Sequence, residues 1–121
     1  IRFHMEVDPE SLTITADPAL IEQVLINLCK NSVEAVSGIS RPKIKLKAGT
    51  DGLGNPVVKV IDNGKGIAED VAERIFIPFF TTKPEGSGIG LSLSRQIIRM
   101  HKGTIGVTST PKEKTAFKLR F

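Results

Sequence analysis

Val57-Val58-Lys59-Val60-Ile61-Asp62-Asn63-Gly64-Lys65-Gly66 is the stretch whose reading decides the fold. Its β-branched run predicts a strand, and the two-residue period of a strand puts Val58, Val60 and Asp62 on one face. If helices cover that face, Asp62 closes a core strand with its carboxylate pointing inward, where a buried charge must find donors. Gly64 and Gly66 let the backbone that follows pass close to a flat ring. The plainer reading is an Asp-Asn-Gly turn of the kind that often ends strands.

Working outward, residues 43–48 alternate in the same way, and Asp51-Gly52-Leu53-Gly54-Asn55 makes a hairpin loop between the two runs. Upstream, residues 1–7 and 12–15 are predicted as two short strands joined by Asp8-Pro9-Glu10. Asp17 can then cap a helix with Pro18 in its first position, running to about Ser37 and stopped by Gly38. Ile21, Val24, Leu25, Leu28, Ala35 and Val36 form its apolar side. Downstream, a short helix over residues 69–76 is ended by Pro78, and the glycine- and hydroxyl-rich residues 81–90 are expected to be a mobile loop. A third helix over 91–101 is expected to bury Leu93, Ile97 and Met100. Strands 104–109 and 115–121, turning through residues 110–114, close the chain. Together these predict an α/β (α+β) two-layer sandwich in a single domain over 1–121, its mixed, mostly antiparallel sheet of about five strands covered on one face by three helices.

Composition narrows the function classes. The 121 residues are 40% hydrophobic and 25% charged, which suits one globular domain. No apolar run approaches the roughly 18 residues of a membrane span, and no signal peptide is expected. Because the chain opens on Ile1 and enters a strand at once, it is expected to be a fragment of something longer. Cys29, the one cysteine, excludes an internal disulfide or a zinc cluster; as a small core-filling thiol it fits a reducing, cytoplasmic compartment. The charge of +4 permits a polyanionic partner. However, Lys43, Lys45 and Lys47 alternate as on the wet face of a strand, and Tyr and Trp are absent, so no nucleic-acid partner is expected.

Three clusters carry chemistry. Gln23, Asn27, Asn31 and Glu34 share one stripe of the first helix. Asparagines are poor helix-interior residues, and amide oxygens suit Mg²⁺; a solvated helix face is the alternative. At Asp62, an adenine amino group would be a fitting donor, whereas guanine would present a carbonyl and be repelled. Gly86-Ser87-Gly88-Ile89-Gly90 opens directly into the third helix, where exposed N–H groups and the helix N-terminus suit phosphates, unless it is only a flexible turn. It is neither a Walker loop, which needs a glycine–lysine–hydroxyl ending, nor a dinucleotide fingerprint, whose third glycine would fall at Leu91.

In this order the segments resemble the nucleotide-binding boxes of the GHKL superfamily, which includes gyrase, the large heat-shock chaperones, histidine kinases and MutL. Residues 23–32 resemble the asparagine box, 62–67 the first glycine box and 86–91 the second. Ile75-Phe76-Ile77-Pro78-Phe79-Phe80-Thr81-Thr82-Lys83 resembles the phenylalanine box typical of sensor histidine kinases. Residues 101–105 are similar to the kinase segment after the lid helix, and the likeness spans nearly the whole chain.

The resemblance implies the following roles. Asn31 would coordinate Mg²⁺, with Asn27 near its waters or the phosphates, and Lys30 would neutralise phosphate charge. Asp62 would select adenine, with Gly64, Gly66 and Ile67 lining the base pocket. Gly86, Ser87, Gly88, Gly90 and Leu91 would hold the triphosphate of ATP, with Thr82 and Lys83 reaching its end, and Thr115 would touch the base-proximal pocket. No catalytic residue lies within the chain, since the phosphoacceptor histidine would sit on a separate dimerisation helix. The implied partners are those dimerisation helices and a response regulator, with no membrane contact by this domain. His4 and His101 are expected to be structural or surface residues, and Phe76, Phe79 and Phe80 to serve in the core or in docking.

Three positions depart from the pattern. Asn27 stands where the ATPases carry a glutamate, and an amide cannot act as a base, which favours transfer over hydrolysis. Lys112-Glu113-Lys114 replaces the glycines expected before Thr115, and Glu34 stands where relatives carry lysine. A GHKL ATPase module and a non-catalytic ATP-sensing scaffold remain as alternatives at this level.

Overall fold

The computed structural model describes residues 1–81, 88–110 and 114–121. The elements run β1 Arg2–Val7, α1 Pro18–Ala35, β2 Lys43–Thr50, β3 Pro56–Asp62, α2 Glu69–Ala72, α3 Gly90–Met100, β4 Thr104–Thr110 and β5 Lys114–Arg120. One five-stranded sheet has the order β1-β2-β3-β5-β4; β1 pairs parallel to β2 and the other pairs are antiparallel. This is the expected two-layer sandwich.

α1 begins as its sequence requires: the Asp17 carboxylate accepts from the N–H groups of Ala19 (3.0 Å) and Leu20 (3.3 Å). Its inner stripe of Val24, Leu28 and Ser32 faces the sheet. There it meets Ile44, Val58, Val60, Phe117 and Leu119, with Ile97 and Ile98 of α3 completing the core. Truncating a fully buried member such as Leu28 to Ala costs about 2–5 kcal/mol. Strand alternation points Phe3, Met5 and Val7 of β1 to the same side, but as the last strand of the sheet β1 leaves them exposed.

The other face of the sheet carries cations: Arg2 on β1, Lys43, Lys45 and Lys47 on β2, Lys59 on β3, and Lys114, Lys118 and Arg120 on β5. Glu6 is the carboxylate among the strand residues of that face.

Three expectations fail in detail. Residues 12–15 form no strand and add to neither outer edge of the sheet; Ile14 instead packs on the core from irregular backbone. α2 ends at Ala72 and turns carry the chain on to Pro78, so the helix expected over 69–76 is one turn long. In α3 the buried residues are Ser94, Ile97 and Ile98, whereas Leu93 and Met100 are exposed. The Ser94 hydroxyl donates to the Gly90 carbonyl (2.9 Å), which makes its burial tolerable and shifts the inward face round the helix. No described helix is long and apolar enough to cross a membrane.

Candidate functional site

Asp62 ends β3 on the helix-covered face and is only 2% exposed. One carboxylate oxygen accepts from the Gly64 N–H at 2.9 Å. Burial pushes its carboxyl above the usual carboxylate range, while the Gly64 N–H and the Ser32 hydroxyl pull the other way. The buried Ser32 Oγ lies close enough to favour the charged form, yet makes no hydrogen bond of good geometry among the described residues. A desolvated carboxylate and a hydroxyl with spare capacity therefore face the same place.

Thr115 on β5 stands in register with Asp62 and is equally sealed. Its Oγ1 lies 3.0 Å from Ser109 Oγ, which accepts from the Ile67 N–H at 2.8 Å. With Ile67 donating to Ser109, one of the two hydroxyl protons joins the pair and the other stays uncommitted among the described residues. The first glycine box is thus moored to the β4–β5 ladder through Ile67. Its other mooring is α1, where the Lys65 N–H donates to the Ala35 carbonyl at 3.2 Å. Gly64 is obligatory at that seam, since a Cβ there would lie 2.4 Å from the Ala35 oxygen.

On the opposite side of α1, Asn27 reaches the start of α3. Its Nδ2 donates to the Gly90 carbonyl (3.5 Å) and Ser94 Oγ (3.4 Å), and its Oδ1 accepts from Gln23 Nε2 at 3.4 Å. These are long contacts, and they place the amide beside the first turn of α3. Asn31 follows one turn on, half-buried. Among the described residues no side chain caps α3, whose cap position is held by Ile89, and the leading N–H groups of a helix begun this way suit an anion. Gly88 meets the phenylalanine segment there: its carbonyl accepts from the Phe79 N–H at 2.8 Å, and with φ 74° a Cβ would lie 2.4 Å from the Phe79 carbonyl carbon. Leu91 packs against the core.

The structure thus joins Asp62, Gly64, Ile67 and Thr115 at the strand end, and Asn27, Gly88 and Gly90 at the seam between α1 and α3. Lys30 is exposed and borders a shallow hollow with Ile26, Cys29, Val33 and Glu34, apart from both groups. Thr82, Lys83, Gly86 and Ser87 lie outside the described residues. Sequence reading missed Ser32 and Ser109. Ser32 continues the Val24–Leu28 spacing by one more turn, and that was its signal; Ser109 is placed by cross-strand pairing with Thr115, which no local pattern announces.

Of the phenylalanines, Phe76 and Phe80 pack against the core, with the Arg95 guanidinium 5.9 Å from the Phe76 ring centre, whereas Phe79 is 78% exposed. His101 caps the end of α3 in a structural role. Its Nδ1–H donates to the Ile97 carbonyl (2.8 Å) and its Nε2 accepts from the Asp17 N–H (3.0 Å), tying α3 to the start of α1.

Comparison with known proteins bears on this arrangement. The sequence pattern described as "Histidine kinase-, DNA gyrase B-, and HSP90-like ATPase" matches residues 16–121. The chain is 40% identical over 119 residues to the signal transduction histidine-protein kinase AtoS of Escherichia coli K12, covering 98% of this chain and 19% of that protein. It spans about a fifth of the length of the curated relatives it matches. Among solved structures it resembles the nucleotide-free catalytic domain of histidine kinase ThkA, with TM-score 0.85, 38% identity and coverage of 99% of this chain and 77% of that one. In the complex of ThkA with the response regulator protein TrrA the TM-score is 0.79 at 36% identity, over 98% of this chain and 33% of that one. Full-length ShkA in complex with AMPPNP matches with TM-score 0.86 and 27% identity, over 98% of this chain and 25% of that one.

Proposed function

This chain belongs to the histidine kinase-, DNA gyrase B- and HSP90-like ATPase family, and from that premise we propose that it is the catalytic part of a two-component sensor histidine kinase. It binds Mg-ATP and presents the γ-phosphoryl group to a histidine on a separate dimerisation helix. The observation that carries this reading is Asp62, a buried carboxylate with one backbone donor and capacity left over. An adenine amino group supplies the missing donor, and a guanine carbonyl would be repelled there.

The residues present fit the rest of the ligand. The start of α3 offers N–H donors to phosphate, with Gly88, Gly90 and Leu91 forming that edge. Asn31 offers an amide oxygen to Mg²⁺, and no described group of three His, Cys, Asp or Glu provides a rival cluster. Magnesium bound there would offset the charge on the transferring phosphoryl group. By family resemblance Thr82, Lys83, Gly86 and Ser87 attend the phosphates, and Lys30 adds long-range positive charge. Asn27 holds the α1–α3 seam and cannot take a proton from water, which favours transfer over hydrolysis.

Exposed apolar side chains near the start of α3, Ile77, Phe79, Ile89 and Leu93, are the surface offered to the dimerisation helices. The parent's response regulator takes the phosphoryl group afterwards.

Calorimetric titration with non-hydrolysable ATP and GTP analogues tests the reading. Binding of the adenine nucleotide, strengthened by Mg²⁺, with none of the guanine nucleotide is expected; equal binding of both sinks the assignment of Asp62. Labelled ATP mixed with the domain and a candidate dimerisation segment should label a histidine, whereas steady phosphate release by the domain alone would make it an ATPase module.

A further inference from the structure

The face of the sheet turned away from the helices holds a ladder of like charge. Lys47 stands directly opposite Lys59, and Lys59 directly opposite Lys118. Neighbouring strands are about 4.8 Å apart, so three ammonium-bearing side chains rise within about 10 Å of one another. Directly opposed like charges weaken a sheet, and little here compensates. Glu6 reaches Lys45 (3.5 Å) and Lys47 (4.0 Å), and Arg120 is held by Asp51 (3.3 Å). Lys59 and Lys118 have no ion pair among the described residues.

We propose that this face docks on an anionic lipid surface. The face carries no large exposed hydrophobic residue within its strands, so it lacks the desolvated anchor around which protein interfaces are organised. Lysines on flexible stems, spread over three strands, match a plane of diffuse negative charge instead. No aromatic platform for bases stands among them. At one end of the face the β2–β3 turn carries Leu53, 86% exposed, an apolar tip suited to a headgroup layer and of no use against a phosphate backbone. The family resemblance implied no membrane contact by this domain; the cross-strand register argues for one. The nucleotide site lies on the opposite face and stays open when this one is occupied.

The test is co-sedimentation of the chain with phosphatidylcholine vesicles, with and without phosphatidylserine, over a range of salt. Binding only to the serine-containing vesicles, lost as salt rises, is expected. Each lysine near such a surface contributes roughly fivefold, so Lys47→Gln/Lys59→Gln/Lys118→Gln should weaken binding about 100-fold. That variant should keep the affinity for an ATP analogue and melt at or above the wild-type temperature, which separates lost docking from lost folding. Arg74→Gln/Arg99→Gln/Lys102→Gln, the same charge change outside the sheet, should lose far less. Leu53→Ser should weaken vesicle binding but leave any binding to a DNA duplex unchanged. The proposal is overturned if wild type ignores the acidic vesicles or if the two triple variants lose equally. It is also overturned if a DNA duplex or a polyglutamate peptide binds more tightly than vesicles at the same salt.

Discussion

Asp62 and Thr115 face each other across the β3–β5 ladder, each only 2% exposed, so a carboxylate and a hydroxyl are sealed side by side at the same end of the sheet. Burial of that carboxylate is costly to the empty domain, and the Gly64 N–H offsets only part of the cost.

Asp62→Asn therefore separates folding from binding. Loss of a charge-assisted hydrogen bond is worth about 1.5–3 kcal/mol, a drop of roughly 10- to 100-fold in affinity for an ATP analogue. The empty domain should melt no lower than wild type, since the variant removes a desolvated charge. Unchanged affinity in titration calorimetry would refute the role given to Asp62.

The same carboxylate sets a pH dependence. Because burial raises its pKa above the ordinary 3.8, the folded state holds a proton that the unfolded state has already released in the interval between the two values. Stability of the empty domain should fall as pH rises through that interval, and the penalty is fully present above the raised pKa. Asp51 acts in the opposite sense: hydrogen bonds from Asn55 lead in lowering its pKa, so its contribution is present at neutral pH and lost in acid. Subtracting the Asp62→Asn profile from wild type in pH-resolved denaturant melts isolates the Asp62 component. A flat difference contradicts its desolvation.

Asn31→Ala should abolish the gain in ATP-analogue affinity on adding Mg²⁺ while leaving the metal-free affinity nearly unchanged. Persistence of the gain would exclude Asn31 as the ligand.

Gly64→Ala drives a methyl to within 2.4 Å of the Ala35 carbonyl oxygen, which belongs to backbone and cannot swing aside. The expected cost is about 1–3 kcal/mol of stability in urea melts. Nucleotide affinity should fall as well, because displacement of this turn moves Asp62. A neutral result on both counts would mean that α1 and the turn are not in contact in solution.

Lys59→Glu turns the centre of a repulsive row into an attractive one and should stabilise the domain by about 0.2–1 kcal/mol. A rise in the denaturation midpoint without a change in slope is the expected sign, and a fall would show that the three lysines do not interact.

Much of the fold could be worked out from local pattern, and the failures have physical causes. The strand ending at Asp62, the capped start at Asp17 and Pro18, and the hairpin through residues 51–55 depend on short-range chemistry and form as expected. The alternation at residues 12–15 resembles a strand, but a strand exists only where it pairs, and this segment spends Ile14 on the core without joining either sheet edge, a choice not written locally. In α3 the spacing of Leu93, Ile97 and Met100 competes with that of Ser94, Ile97 and Ile98; a serine able to bond its own helix tips the balance, which a hydrophobicity count misses. Ser109 and the lysine row share this limit, since cross-strand neighbours are far apart in the chain and only register brings them together.

Along β3 the even-numbered positions line the core and the site while Lys59 looks outward; along β5 the odd numbers line the core and Lys118 looks outward. Adjacent residues in these strands thus answer to different selective pressures, one set by a pocket and the next by whatever lies beyond the sheet. Ligand preference and surface affinity can consequently drift independently, by substitutions one peptide bond apart.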